Sequence, residues 1–179
     1  MTGNLPAVCE VLALVLEYPT AAYPGHVEAC RTLLRADWPA VAAHVDAFAA
    51  ATESLSVAGH EEQFIQMFDF NPKCTLDIGW QLFAEDYNRG LFLAKLRTES
   101  RRLGLPETSE LPDHLPHVLR LLGRMEDAAA ADFAATCVLP GVEKLLAAMD
   151  ETNPYRHIIQ GVRALLGVVY GAQAEAALT

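Results

Sequence analysis

Basic charge is scarce in this 179-residue chain: 13 lysines and arginines stand against 23 acids, for a formal net charge of −10. A surface of that sign repels nucleic-acid phosphates and anionic lipid. Neither nucleic acid nor stable membrane association is expected, whereas a basic peptide would be attracted. No basic residue precedes Arg31. A secretory signal needs a basic first segment and a twin-arginine signal needs paired arginines, so the expected location is the cytoplasm. Long apolar runs are also missing, since the stretch 8–16 is interrupted by Glu10 and is too short to cross a bilayer. The four cysteines (Cys9, Cys30, Cys74 and Cys137) form no C-x-x-C and sit near no histidine at zinc spacing, which reads as reduced thiols. G-x-S-x-G, a phosphate-cradling glycine loop and the dinucleotide fingerprint are all absent, so no catalytic residue is expected.

What is present is helical patterning. Hydrophobic residues make up 52% of the chain, enough to bury a core, and alanine is abundant while Val/Ile/Thr strand runs are nearly absent. Val8, Val11, Leu12, Val15 and Leu16 form the first apolar stripe, which Pro19 is expected to end. Pro24-Gly25 reads as a turn, a second helix ends near Asp37, and Pro39 opens a third. Residues 49–59 read as a loop with frayed helix ends, followed by a helix over 60–68 and then one long helix over 76–103. Glycines 79 and 90 inside that long helix suggest close approach of another backbone. A helix from 115 runs past Met125 into the alanines 128–131 and continues over 132–139, where Pro140 kinks or divides it, and Asn153-Pro154 opens the last, which Gly171 closes before a frayed tail at 172–179. The expected fold is all-α, a single-domain helical bundle.

Two constellations stand out. The first is Leu111-Pro-Asp-His-Leu-Pro116 with His117, a stiff hinge opening a helix. Pro112 and Pro116 hold φ near −65°, a value the first helical turn tolerates. Asp113 is placed to cap the helix, with its charge at the positive end. His114 and His117 are three apart and Asp113 adjoins them, so a small metal-dependent helical hydrolase using these three is the alternative. No further ligand is identifiable nearby, and a capped hinge without metal is the preferred reading. The second constellation is aromatic: Met67, Phe68, Phe70, Trp80, Phe83 and Tyr87. It is read as core packing or as an apolar groove with Asp69, Glu85, Asp86 and Asp113 at its rim, and both readings stand.

Several segments in chain order resemble one family. They are Leu16-x-Tyr-Pro19, Glu62-Gln-Phe-Ile-Gln-Met-Phe-Asp69, Gly79-Trp80, Asp86-Tyr-Asn-Arg-Gly90, the stretch 110–122 and Asn153-Pro-Tyr155. Together they look like the nitrate reductase delta subunit, the NarJ-type molybdenum-cofactor assembly chaperone of the TorD/DmsD group. The resemblance implies a TorD-like helical bundle with no activity of its own. It implies a cytoplasmic chaperone that binds the basic, twin-arginine-like N-terminal peptide of a molybdoenzyme catalytic subunit, nitrate reductase alpha or a relative. Such a chaperone holds the apoenzyme while molybdopterin guanine dinucleotide is inserted, and keeps no cofactor permanently itself. Carried onto this chain, the candidate peptide site takes Phe68 and Asp69 from a helix end, Trp80, Phe83 and Tyr87 from the long helix, and Pro112, Asp113, His114, Pro116 and His117 from the hinge. Arg89 is read as a structural ion-pair partner of Asp69 or Asp113, since it would repel a basic client. The segment 70–76 departs from the better-known members, which leaves the client enzyme open.

Overall fold

The chain begins with an anchored helix end. The Asn4 side chain accepts from the Ala7 amide at 3.3 Å and opens α1 (Leu5–Val15). The computed structural model describes residues 4–176, with side chains through residue 171. Helix follows helix: α2 (Tyr23–Asp37), α3 (Pro39–Ala51), α4 (Val57–Phe64), α5 (Ile78–Phe83), α6 (Tyr87–Arg102), α7 (Leu115–Leu122), α8 (Asp127–Phe133), α9 (Leu139–Ala148) and α10 (Tyr155–Ala176). Two π-helical segments, π1 (Ile65–Asp69) and π2 (Ala134–Val138), continue α4 and join α8 to α9. The fold is all-α; the one β feature among the described residues is an isolated bridge between Asp77 and His114.

The core follows the expected stripes. Val8, Leu12, Val15 and Leu16 are buried where α1 packs on α2 and α7. Ile158, Ile159, Val162, Leu165 and Leu166 face inward from α10, which lies mainly against α3 and α9. Asn153 caps α10 as its residue type suggests, accepting from the Tyr155 amide at 2.9 Å. No helix among the described residues is long and apolar enough to cross a membrane.

Boundaries differ from the sequence reading in several places. α1 ends at Val15, before Tyr18-Pro19, and Pro24-Gly25 lies in the first turn of α2 rather than in a separate turn. The expected loop with helix ends at 49–59 narrows to 52–56, because α3 runs through Ala51 and Ser56 caps α4 by accepting from the Gly59 amide. The helix from residue 115 stops at Leu122, and α8 begins afresh after Glu126. Pro140 leaves the chain helical but re-registers it: π2 occupies the turn before it, where the missing N–H and the ring would otherwise disrupt α-helical bonding. Gly171 does not close α10, which continues to Ala176, while residues 177–179 of the expected frayed tail lie outside the described residues.

The largest correction concerns the long helix over 76–103. It is two helices, α5 and α6, broken at Ala84. Ala84 has φ 49° and ψ −122°, the conformation of the first central residue of a type II′ turn, and the Asp86 amide donates to the Phe83 carbonyl at 2.9 Å to close that turn. Asp86 then caps α6 by accepting from the Asn88 amide at 2.7 Å. Glycine is the residue this backbone favours, so Ala84→Gly is expected to stabilise the protein by about 1 kcal/mol. A rise in the urea midpoint with unchanged slope is the check, and a fall would mean that the turn is not strained.

Candidate functional site

Reversal at Ala84 brings α6 back across α5 and carries Arg89 onto the hinge. The hinge itself is pinned by two backbone hydrogen bonds: the Ile78 amide donates to the Asp113 carbonyl and the Leu115 amide to the Leu76 carbonyl, each at 2.9 Å. Between these strands of chain the Asp113 side chain turns inward and is fully buried, at 0% exposure. Asp113 therefore does not cap α7. His114 occupies the N-cap position and makes no side-chain capping bond. Asp113 meets Arg89 instead, with Nε at 3.3 Å and Nη2 at 3.2 Å from its Oδ2. The same Nη2 reaches Asp77 Oδ2 at 3.2 Å, and the guanidinium carbon lies 5.5 Å from the centre of the Trp80 ring. Asp77 in turn meets His114 Nδ1 at 3.3 Å. The reading of Arg89 as a structural partner of Asp113 agrees with this geometry; its second carboxylate is Asp77, not Asp69.

Electrostatics divide the two carboxylates. Burial, and then the neighbouring Asp77 charge, push the Asp113 carboxyl above the usual range despite Arg89. Burial would raise Asp77 too, but the hydrogen bond and charge of His114, with Arg89, hold it below that range. Gly79 completes the packing: a Cβ there would lie 2.5 Å from Asp113 Oδ2 and 2.9 Å from Phe92 Cδ1. The close approach inferred for this glycine is real, but side chains make it rather than a backbone. At Gly90 nothing comes within 4 Å.

The predicted aromatic site divides three ways. Phe68 is buried and packs edge-on against Phe64 and Tyr155, with ring centres 4.9 and 5.4 Å apart. Phe83 joins Phe92 at 5.5 Å, and Phe92 continues to Phe133. Tyr87 is 80% exposed, because the break at Ala84 rotates α6 away from the stripe that α5 begins, and Phe70, just past π1, is 78% exposed. The two readings of these aromatics are thus divided among different residues. Of the candidate peptide-contacting residues, Phe68, Asp113 and Pro116 are buried, contrary to a contacting role, because the first packs among aromatic rings and the second turns inward to Arg89. Trp80, Phe83, Pro112, His114 and His117 are half-buried, and Asp69 and Tyr87 are exposed.

The rings of His114 and His117 stand 6.0 Å apart, but Asp113, His114 and His117 direct their polar atoms to different partners. They face Arg89, Asp77 and Thr108 respectively, the last through Thr108 Oγ1 and His117 Nε2 at 2.8 Å. Among the described residues no three His, Cys, Asp or Glu side chains gather as a metal-ligand set.

Beside the hinge opens a cleft of about 510 Å³ that the sequence reading missed apart from Pro112 and His117. Its walls are α1, the end of α6, the loop 103–114 and α7. Arg120 crosses it, held by Glu10 in a bidentate pair (2.9 Å from Nε and 2.9 Å from Nη2) and by Glu17 at 2.7 Å. Arg120 and Glu10 are 110 positions apart, so no local spacing could announce the pair. Burial, then the charges of His114 and Arg120, lower the His117 pKa and favour its neutral form.

The fold and site define an all-α bundle with an ion-paired hinge beside a surface cleft. No family model matches this chain, and no curated protein matches it significantly.

Proposed function

We propose that this chain is a NarJ-type cytoplasmic chaperone. In this reading it binds the basic N-terminal peptide of a molybdoenzyme catalytic subunit, with nitrate reductase alpha the first client to test. It holds that apoenzyme while molybdopterin guanine dinucleotide is inserted, without an enzymatic activity of its own. One observation carries the reading. Two of the three most specific parts of the family resemblance, the Arg89-Gly90 step and the hinge 111–116 (the third is the Phe68-Asp69 helix end), lie apart in sequence yet meet, through Arg89 on Asp113. A chance likeness would not need its two pieces to meet. The surface around this unit also suits such a client: Asp69, Phe70, Glu85 and Tyr87 are exposed, offering carboxylates and aromatic rings to a basic, partly apolar segment. The metal-dependent alternative gains no comparable support, since its three side chains face different partners.

The test is calorimetric titration of the full chain with synthetic N-terminal peptides from a panel of molybdoenzyme catalytic subunits. One peptide is expected to saturate a single site, to weaken with added salt, and to lose about tenfold in affinity with the double substitution Glu85→Gln, Tyr87→Ala. Both positions are exposed, so that variant is expected to remain folded. Silence from every peptide in the panel would sink the proposal.

A further inference from the structure

The cleft carries a charge pattern that peptide binding does not use. The chain has ten arginines in a background of excess carboxylate. Seven of them (31, 35, 89, 101, 102, 120 and 163) are paired with carboxylates, and Arg156 donates to the carbonyls of Leu146 and Met149. The remaining two, Arg97 and Arg124, make no ion pair and no side-chain hydrogen bond among the described residues. In so acidic a chain an arginine without an ion pair is the exception, and both of these exposed arginines line one cavity, the same cleft.

Net charge does not decide the matter, because four glutamates also line the cleft. Their pairing does. Glu10 and Glu17 are engaged by Arg120, and Glu107 by Arg101. Glu110 is then the one lining glutamate without an ion pair among the described residues, and Arg97 also acts by its charge on Glu107. Paired guanidinium forks suit a group with several acceptor oxygens and more than one negative charge, and the hydroxyls of Ser100 and Thr108 line the same cleft. Leu105 and Pro106 supply an apolar wall, and the volume lies within the range of small-molecule sites. The geometry points to a binding site for a small phosphate ester. Arg97 and Arg124 hold its phosphate, Leu105 and Pro106 pack on its body, and Glu110 accepts from a donor on that body. This inference does not rest on the client reading and would survive its failure.

Calorimetric titration of the full chain with adenosine 5′-monophosphate, inorganic phosphate, adenosine and succinate tests it. A phosphate-bearing probe, the ester or phosphate alone, is expected to bind saturably, with adenosine and succinate at least about tenfold weaker. The double substitution Arg97→Gln, Arg124→Gln is expected to weaken the phosphate probe at least about tenfold. Lys95→Gln, exposed on the same helix and outside the cleft, is expected to leave binding unchanged. Both arginines are exposed and make no ion pair or side-chain hydrogen bond among the described residues, so the double variant should melt like the parent. Should it not, Arg124→Gln alone makes the same comparison. Absence of binding by both phosphate-bearing probes, equal binding of succinate, or binding indifferent to the arginine substitutions would each overturn the site.

Discussion

Arg89→Ala is expected to destabilise the protein by about 3–5 kcal/mol at neutral pH, read from urea denaturation. The size follows from what the substitution leaves behind. Asp113 is fully buried, and its Oδ1 already has no hydrogen-bond partner among the described residues. Arg89, itself only 19% exposed, is the one cation in an ion pair with it among the described residues. Without the guanidinium, a desolvated carboxylate faces the like charge of Asp77, and Trp80 loses the cation beside its ring. Asp113→Asn is the contrasting case. It removes the buried charge, keeps the shape, and leaves Arg89 its pair with Asp77, so its cost is expected near 1 kcal/mol. Added to Asp113→Asn, the Arg89→Ala substitution should then cost clearly less than it does alone, a coupling of about 1–3 kcal/mol.

The pH dependence of Arg89→Ala has a definite sign. An acid whose folded pKa is raised is destabilising when ionised, and that penalty is relieved as pH falls through the folded pKa. Asp113 already titrates above the ordinary range because it is buried beside Asp77, and loss of Arg89 moves it higher. The deficit of Arg89→Ala relative to the parent should therefore shrink as the solution is acidified. A cost under about 1 kcal/mol, or one indifferent to pH, would show that the cluster does not hold the hinge.

How much of this was legible in the sequence depends on whether the signal is local. Pro39 at a helix start, Asn153 as a cap and the apolar stripes of α1 and α10 act within a turn or two of their own position, and the structure keeps them. The break at Ala84 was invisible because an alanine, not a glycine or proline, occupies the turn; only the capping potential of Asp86 hinted at a new start. Without that break, one continuous stripe joined Trp80 to Tyr87, and the aromatic cluster looked like a single surface. At the hinge, proline stiffness was readable, but Asp113 was assigned to the nearest unfilled amides. Its true partner, Arg89, lies 24 residues away and becomes reachable only once α6 doubles back. The cleft was beyond reach for the same reason: its walls come from α1, α6 and α7, and its pairs span the chain.

Tyr155→Ala is expected to cost about 3–5 kcal/mol, whereas Tyr155→Phe should lie within about 1 kcal/mol of the parent, on either side. Tyr155 is fully buried at the first turn of α10, directly after the Asn153 cap. Its ring lies 5.1 Å from Phe48, 5.5 Å from Phe64 and 5.4 Å from Phe68, so truncation opens a cavity at the meeting of α3, α4, π1 and α10. The hydroxyl faces that of Tyr23, whose own proton goes to the Val15 carbonyl, and makes no well-formed hydrogen bond among the described residues, so its removal forfeits little and relieves a buried polar atom. Phe68 sits in π1 immediately before Asp69 and Phe70, which are exposed. Loosening Phe68 from beneath should therefore weaken client binding by Tyr155→Ala below its melting temperature, with Tyr155→Phe unaffected. Equal losses for the two variants would assign the stability to the hydroxyl instead of the ring. Binding indifferent to Tyr155→Ala would remove π1 from the peptide surface while leaving the hinge and its ion pairs as they are.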